Sequence, residues 1–322
     1  MNLVNLVNPV YLILAFALAL PAQAQQYPSR PIRLIVPLAA GGGMDTVARG
    51  VALRLTDSLG QTVVVDNRGG GGGSIGAELV AAAAPDGYTL IMMSATSVIH
   101  PMMVKARYDT LRDFAPVSQV TTQPYVIVVN SGVPVHSVKE LIAYAKANPD
   151  KLNYASSGNG SLIHLATELF RITTGTRMVH IPYKGIGAAY PDLIAGNIQL
   201  ILASIISAQP HVKAQRIRAL AVTGAKRAGS SPELPTVAEA GVPGYAVTQW
   251  YAVFAPAGTP KAVVDRLHRD IVKVLQLSEV TARMVADGAE SVGGTPQQLA
   301  AHVKAERDKW TRVIKQTGIK GD

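Results

Sequence analysis

The chain has 322 residues, 48% of them hydrophobic and 16% charged, with a formal net charge of +9 and no cysteine. That length and balance suit a folded protein of two domains and exclude a disordered chain, while the missing thiols exclude disulfides, thiolate metal sites, iron–sulfur clusters and cysteine nucleophiles. An aromatic content of 5% and the lack of any run of five Lys or Arg speak against nucleic acid as a partner, so the positive balance is read only as a weak pull toward small anions.

Residues 1–24 carry no charged side chain; residues 9–20 are apolar, and Pro21-Ala22-Gln23-Ala24 supplies an Ala-x-Ala cleavage pattern. This reads as a secretory signal peptide cut near Ala24, although its start lacks the usual Lys or Arg. The apolar run falls short of the roughly 20 residues that span a bilayer. The mature chain, 25–322, is expected to be exported and soluble.

Beyond the signal, short β-rich runs alternate with helical ones. Strands are predicted over 32–36, 62–65 and 88–93, with helices over 45–59 and 74–84, the second stopped by Pro85-Asp86-Gly87. Strands joined by helical crossovers imply a parallel sheet. A strand over 125–129 follows, then a helix opened by a capping box at Ser137 and Glu140 and ended near Asn148-Pro149. The rhythm restarts with strands over 152–155, 178–181, 198–203 and 217–222, and helices starting near Ser161, Gly187 and Ile206. A strand over 249–254 precedes a long helix opened by Thr259-Pro260, and Thr295-Pro296 opens the final helix, which runs past Trp310. The fold class is α/β, in two lobes, each an open and mostly parallel sheet flanked by helices.

Ligands of open α/β sheets bind where strand ends lead into helices. Gly41, Gly42 and Gly43 occupy one such loop, where unpaired amides and the helix dipole attract an anion without any cationic side chain. Asp45 is read first as the N-cap of the helix, with direct ligand contact second. The loop Ser156-Ser157-Gly158-Asn159-Gly160-Ser161 repeats the logic, with Ser161 as N-cap. An exported α/β hydrolase using Ser161 and His164 is the alternative, but a Gly-x-Ser-x-Gly elbow is missing and His164 shares a helix face with Ser161. A packing or hydrogen-bonding role suits that histidine better.

Gly71, Gly73 and Gly76 formally match G-x-G-x-x-G. No Asp or Glu lies between Asp86 and Asp109 to hold a ribose, and no Gly-Lys-Ser/Thr follows the glycines, so no nucleotide cofactor is expected. The seven histidines are scattered without a ligand pair, so no metal is expected either.

Tyr27-Pro28-x-Arg30-Pro31-Ile32-Arg33-Leu34-Ile35-Val36-Pro37, Gly41-Gly42-x-x-Asp45, Asn67-Arg68 and Pro85-Asp86-Gly87-Tyr88-Thr89-Leu90 together resemble the extracytoplasmic solute receptors of tripartite tricarboxylate transporters, the Bug family. Tyr154-Ala155-Ser156-Ser157-Gly158-x-Gly160-Ser161 with His164, Pro182-Tyr183-Lys184-Gly185, and Phe254-Ala255-Pro256-x-Gly258-Thr259-Pro260 extend the resemblance over the mature chain. It implies a periplasmic binding protein of the type II kind that is not an enzyme. Its first lobe would comprise 25–124, its second 125–247, and 248–322 would return to the first. It further implies that Ala40 to Asp45 and Ser156 to Ser161 clamp a ligand carboxylate. Hinge crossings would lie near Gln123-Pro124-Tyr125 and Thr248-Gln249-Trp250. Thr96, Ser97 and Ser204 are expected as pocket walls, with a loop or helix-cap hydroxyl as the plain alternative for each and the two readings balanced for Ser204, and Tyr183 and Lys184 lining the cleft or on its rim. The partners implied are a di- or tricarboxylate, acidic amino acid or aromatic carboxylate, and membrane permease subunits; the receptor itself is expected to be a monomer.

Overall fold

A computed structural model describes residues 27–286 and 288–321, so the expected signal peptide lies outside the described residues. The β-branched runs near the start pair in parallel: β1 (Ile32–Val36) lies between β2 (Val63–Asn67) and β3 (Thr89–Ser94). Their crossovers are α1 (Gly43–Leu59) and α2 (Ser74–Ala81), and the short α3 (Ala95–Ile99) follows β3. Next comes β4 (Phe114–Asn130), a 17-residue strand, and then α4 (Val138–Ala147), β5 (Asn153–Ser156), α5 (Leu162–Thr174) and β6 (Val179–Pro182). The chain continues through α6 (Tyr190–Ala195), β7 (Leu200–Ser204), α7 (Ile205–Lys213), β8 (Ile217–Val222) and β9 (Thr248–Pro256). It ends with α8 (Lys261–Leu275), α9 (Ser278–Ala286), β10 (Glu290–Ser291) and α10 (Pro296–Thr317).

Among the described residues the strands join in the order β2-β1-β3-β9-β4-β7-β5-β6, with β8 and β10 also pairing with β4. The parallel sets are β2-β1-β3 and β7-β5-β6; β9 runs antiparallel to both β3 and β4. β4 belongs to both halves of this sheet. From Phe114 to Pro124 it pairs with β9, and from Tyr125 onward with β7, so its main partner changes between adjacent residues.

Side chains of successive strand residues point to opposite faces, and the core is divided accordingly. On one face a single apolar layer crosses both halves, from Ile35, Ile91 and Phe254 through Ile127 and Val129 to Tyr154 and Leu202. α10 covers that layer with Leu299, Val303, Trp310 and Val313, packing on β4, α3 and α5. On the other face the layer is divided. Met44, Val47, Leu267 and Ile271 cover Leu34, Val117 and Val120 of one half, whereas Leu193, Ile205 and Ala208 cover Val126, Val128 and Ile201 of the other.

Helix starts follow the expected chemistry with local differences. Ser137 accepts the Glu140 N–H, but the Glu140 carboxylate takes the N–H of His136, one residue short of a reciprocal box. Pro260 is the N-cap of α8 rather than its first residue. Thr295 and Gln298 form a full box at α10 (2.8 and 3.2 Å), so Thr295→Ala is expected to cost about 1 kcal/mol, measured by urea denaturation. Gly76 of the glycine-rich loop faces Pro37 and the Arg68 carbonyl so closely that a Cβ would lie 2.8–3.0 Å from them. Tight helix–strand packing accounts for that glycine without a nucleotide.

Candidate ligand-binding site

Two helices begin on either side of the divided face. α1 starts at Gly43, after the loop 37–42 that leaves β1, with Gly42 as N-cap. α7 starts at Ile205, directly after β7, and the N-cap Ser204 accepts the Ser207 N–H through its hydroxyl (3.3 Å). Between them lies a cavity of about 340 Å³ lined by Gly43, Thr46, Val47, Gln123, Ser204, Ile206, Ser207, Tyr251 and Ala289. Gln123 of β4 and Tyr251 of β9 form its floor where the two sheet halves meet. The lining has hydroxyls, an amide and apolar surface but no charged side chain.

Gly43 and Ser204 are thus brought together as the sequence suggested, one from each half. Sequence reasoning did not place Thr46, Val47, Ile206, Ser207, Tyr251 or Ala289 in a pocket, and it read Gln123 as hinge only. Tyr251 alternates with buried Trp250 along a hydrophobic strand, so nothing in its spacing separates a pocket wall from core. Burial pushes its phenol above the ordinary tyrosine value, so it remains a neutral hydrogen-bonding group at neutral pH.

Asp45 is not the N-cap. The helix begins two residues before it, because Gly43 and Met44 take helical geometry, and Asp45 is its third residue. Its buried carboxylate accepts from the Gly41 N–H (2.9 Å), Arg49 (3.0 Å) and Asn67 (3.0 Å). The Arg49 hydrogen bond, helped by those of Gly41 and Asn67, outweighs burial and holds the acid below the usual carboxylate range. Asp45 therefore ties the 38–42 loop to α1, while Ala40, Gly41 and Gly42 are exposed ahead of the helix.

The loop 156–161 leads from β5 into α5, and β5 pairs in parallel with β7, so the starts of α5 and α7 sit side by side. Ser161 caps α5, accepting the His164 N–H (3.2 Å), as expected. Ser156 is buried: its hydroxyl meets the Gly158 carbonyl (2.9 Å) and His180 Nε2 (2.7 Å). Ser157 and Gly158 are half-buried and Asn159 is exposed. None of these six residues lines the 340 Å³ cavity. A Cβ at Gly160 would come within 2.8 Å of Met103, so this loop abuts the segment after α3.

The remaining candidates divide. Ser97 is buried and its hydroxyl accepts the Ser94 N–H in the first turn of α3, beside half-buried Thr96. Tyr183 donates to Asp192 (2.6 Å), which pushes its phenol up to about 12, and Lys184 is exposed. His164 Nδ1 accepts the Gly160 N–H (3.1 Å) while Ser161 serves as the helix cap, so these two groups are arranged to hold a loop and not as nucleophile and base. Among the described residues no cluster of three metal-ligating side chains occurs, and no helix is long and apolar enough to cross a membrane.

Two α/β halves joined through shared strands, with helix N-termini facing one cavity at the junction, make this a two-lobed binding protein of the type II kind. The chain belongs to the family described as tripartite tricarboxylate transporter family receptor, whose model matches residues 47–319. It is 39% identical to Protein BugT of Bordetella pertussis over 99% of each chain. It is 40% identical to the UPF0065 protein in the tcbD-tcbE intergenic region of Pseudomonas sp., over 89% of this chain and 86% of that one. Among solved structures it is similar to R. palustris Rpa4515 with adipate (40% identity, TM-score 0.77, covering 92% of this chain and all of that one). It is also similar to MatC from Rhodopseudomonas palustris with bound malate (31% identity, TM-score 0.72, covering 89% and 100%). Receptors of this family are periplasmic solute-binding proteins.

Proposed function

We propose that this protein captures a small carboxylate-containing solute between its lobes in the periplasm and passes it, chemically unchanged, to membrane permease subunits. The observation that carries this reading is the uncharged cavity between the N-termini of α1 and α7. Free amides and the positive helix ends hold an anion there, and closure around it excludes water and strengthens both contacts. The adipate and malate held by the two similar structures support a dicarboxylate-sized solute. Ala40 to Asp45 is the first clamp, with Asp45 acting through the loop it ties down; 156–161 is the second, beside α7.

The partner change of β4 at Pro124/Tyr125 and the start of β9 at Thr248 support lobes of 25–124 with 248–322, and of 125–247. The hinge then runs through Gln123 to Tyr125 and Thr248 to Trp250. Opening takes place on the divided face, because the layer under α10 is shared by both halves. The receptor works as a monomer, since each copy holds both helix ends of its own cavity.

The test is a thermal-shift screen of residues 25–322 against adipate, malate, glutamate and benzoate, each paired with its amide. A carboxylate at 100 times its dissociation constant is expected to add about 2.7 kcal/mol of stability. Equal shifts by acid and amide would sink the anion reading, and turnover of any of them would sink the non-enzymatic one.

A further inference from the structure

Behind the second clamp two imidazoles stack face to face. The rings of His164 (α5) and His180 (β6) have centroids 3.7 Å apart and planes 15° from parallel, and Tyr154 of β5 stacks on His180 at 5.0 Å and lies 6.3 Å from His164. Each imidazole holds a different part of the 156–161 loop. His164 Nδ1 accepts the Gly160 N–H (3.1 Å), and His180 Nε2 meets the Ser156 hydroxyl (2.7 Å), which also accepts the Gly158 N–H (3.2 Å). Gly158 and Gly160 have φ of 129° and 68°, conformations that local sterics do not favour for most residues, so this loop relies on such anchors for its shape.

We propose that His164 and His180 are positioning residues for ligand capture, and that a proton taken up at His164 Nδ1 releases the loop and weakens binding. The inference rests on the carboxylate reading of the cleft for its effect on affinity. The chemistry is direct. Nδ1 of His164 accepts a hydrogen bond only while it carries no proton; a proton there sets N–H against N–H and frees Gly160. Two imidazolium ions at this separation repel, so a proton on either ring opposes one on the other.

The charged groups around the stack come from few elements. Glu168 and Arg171 of α5 form an ion pair, and Glu168 accepts from the Tyr154 phenol (2.5 Å). Beyond β6 stand exposed Lys184 and half-buried Asp192, the latter occupied by Tyr183. Lys309 and Arg312 of α10 lie around Leu169 and Ile172 at the outer side of α5, while α3 and β7 contribute no charge. The C-terminal segment with exposed Lys320 passes close to Gly160, at Gly321. The Ser156 hydroxyl gives its one proton to the Gly158 carbonyl (2.9 Å), so Nε2 of His180 donates to it and that bond outlives protonation, while burial lowers the ring below its ordinary 6.5 and keeps it neutral until pH falls through the lowered value.

The experiment measures adipate and malate affinity by calorimetry at about pH 7.5 and about pH 5.5, alongside the Gly158 and Gly160 amide signals of the ligand-free protein by NMR. The wild type is expected to lose about tenfold or more in affinity at the acid end, with the Gly160 amide shifting along the titration of a histidine ring. His164→Asn places an oxygen near Nδ1 and His180→Gln places an amide N–H near Nε2, neither able to titrate. Both variants should keep affinity within about threefold at neutral pH, and His164→Asn should lose much less of it on acidification. Protonation of the ligand itself is common to all three proteins, so the difference between them carries the test. A wild-type profile no steeper than that of His164→Asn, or a Gly160 amide that ignores both rings, overturns the proposal. If neither acid binds at any pH while that amide still follows a ring, the loop-positioning role stands and the ligand class falls.

Discussion

Trp250→Ala is expected to destabilise the protein by about 3–5 kcal/mol, the usual range for removing a fully buried large aromatic, and to lower the melting temperature by about 5–8 °C for a chain of this length. Trp250 is 0% exposed in β9, paired with Thr122 of β4, and its ring meets His302 of α10 edge to face at 5.2 Å. It belongs to the undivided apolar layer, so the void would open beneath the helix that spans both halves. The indole Nε1 is buried without a hydrogen-bond partner. Trp250→Phe removes that unsatisfied donor together with some volume, and these effects oppose each other. Its cost should stay below about 1.5 kcal/mol, so denaturant midpoints of the two variants should differ widely. A phenylalanine variant as unstable as the alanine one would mean that Nε1 is in fact satisfied in solution.

Gly43→Leu should abolish ligand binding while leaving the fold intact. The position is the first residue of α1 and its φ is not positive, so an L side chain meets no backbone strain. An added Cβ would approach only the Tyr251 hydroxyl, at 3.3 Å, and the rest of the side chain would occupy the cavity. Stability should change by less than about 1 kcal/mol. Affinity for whichever carboxylate the screen identifies should fall at least about 100-fold, or about 2.7 kcal/mol. Gly50→Ala supplies the comparison on the same helix: it points to open space, should stabilise by about 0.5–1 kcal/mol and should bind as the wild type does. Retained binding in the leucine variant would place the ligand elsewhere.

The parallel strands and their crossover helices were legible because burial on both faces of a sheet selects continuous β-branched runs. Five of them, predicted at 62–65, 88–93, 152–155, 178–181 and 198–203, begin one or two residues later and end one or two later. In three of these the first predicted residue, Leu152, Met178 or Ile198, packs in the core before the hydrogen-bonded ladder starts. The first eleven residues of β4, 114–124, were not legible. Pro116 and Pro124 interrupt a stretch of mixed polarity, and prolines ordinarily mark the end of a strand. Here Pro116 borders a register shift and Pro124 is the last residue opposite β9, so each sits where the ladder is already changing.

Although the 156–161 loop does not line the cavity, the walls of that cavity at Gly43 and Ser204 were legible, since amides at a strand-to-helix turn are signalled by small residues. Its floor was not. Gln123 and Tyr251 reach the cavity only because β4 and β9 pair across more than a hundred residues of sequence, and no local pattern encodes such a meeting. Ser156 shows the converse, a residue type that suits a ligand but is taken by His180.

The pairing of β3 and β4 with β9 also sets an order of assembly. Every strand of the half built on β7, including the part of β4 that it uses, lies within residues 125–222. That stretch has all its partners at hand once it leaves the machinery that delivers the chain. The first half must wait with β3 uncovered until residues 248–256 arrive to sit between β3 and β4. Contacts closed over long loops form late, so the middle of the polypeptide folds first and its two ends close around it afterwards. During that interval the exposed edge of β3, Thr-Leu-Ile-Met-Met-Ser, is the segment most open to pairing with the wrong chain.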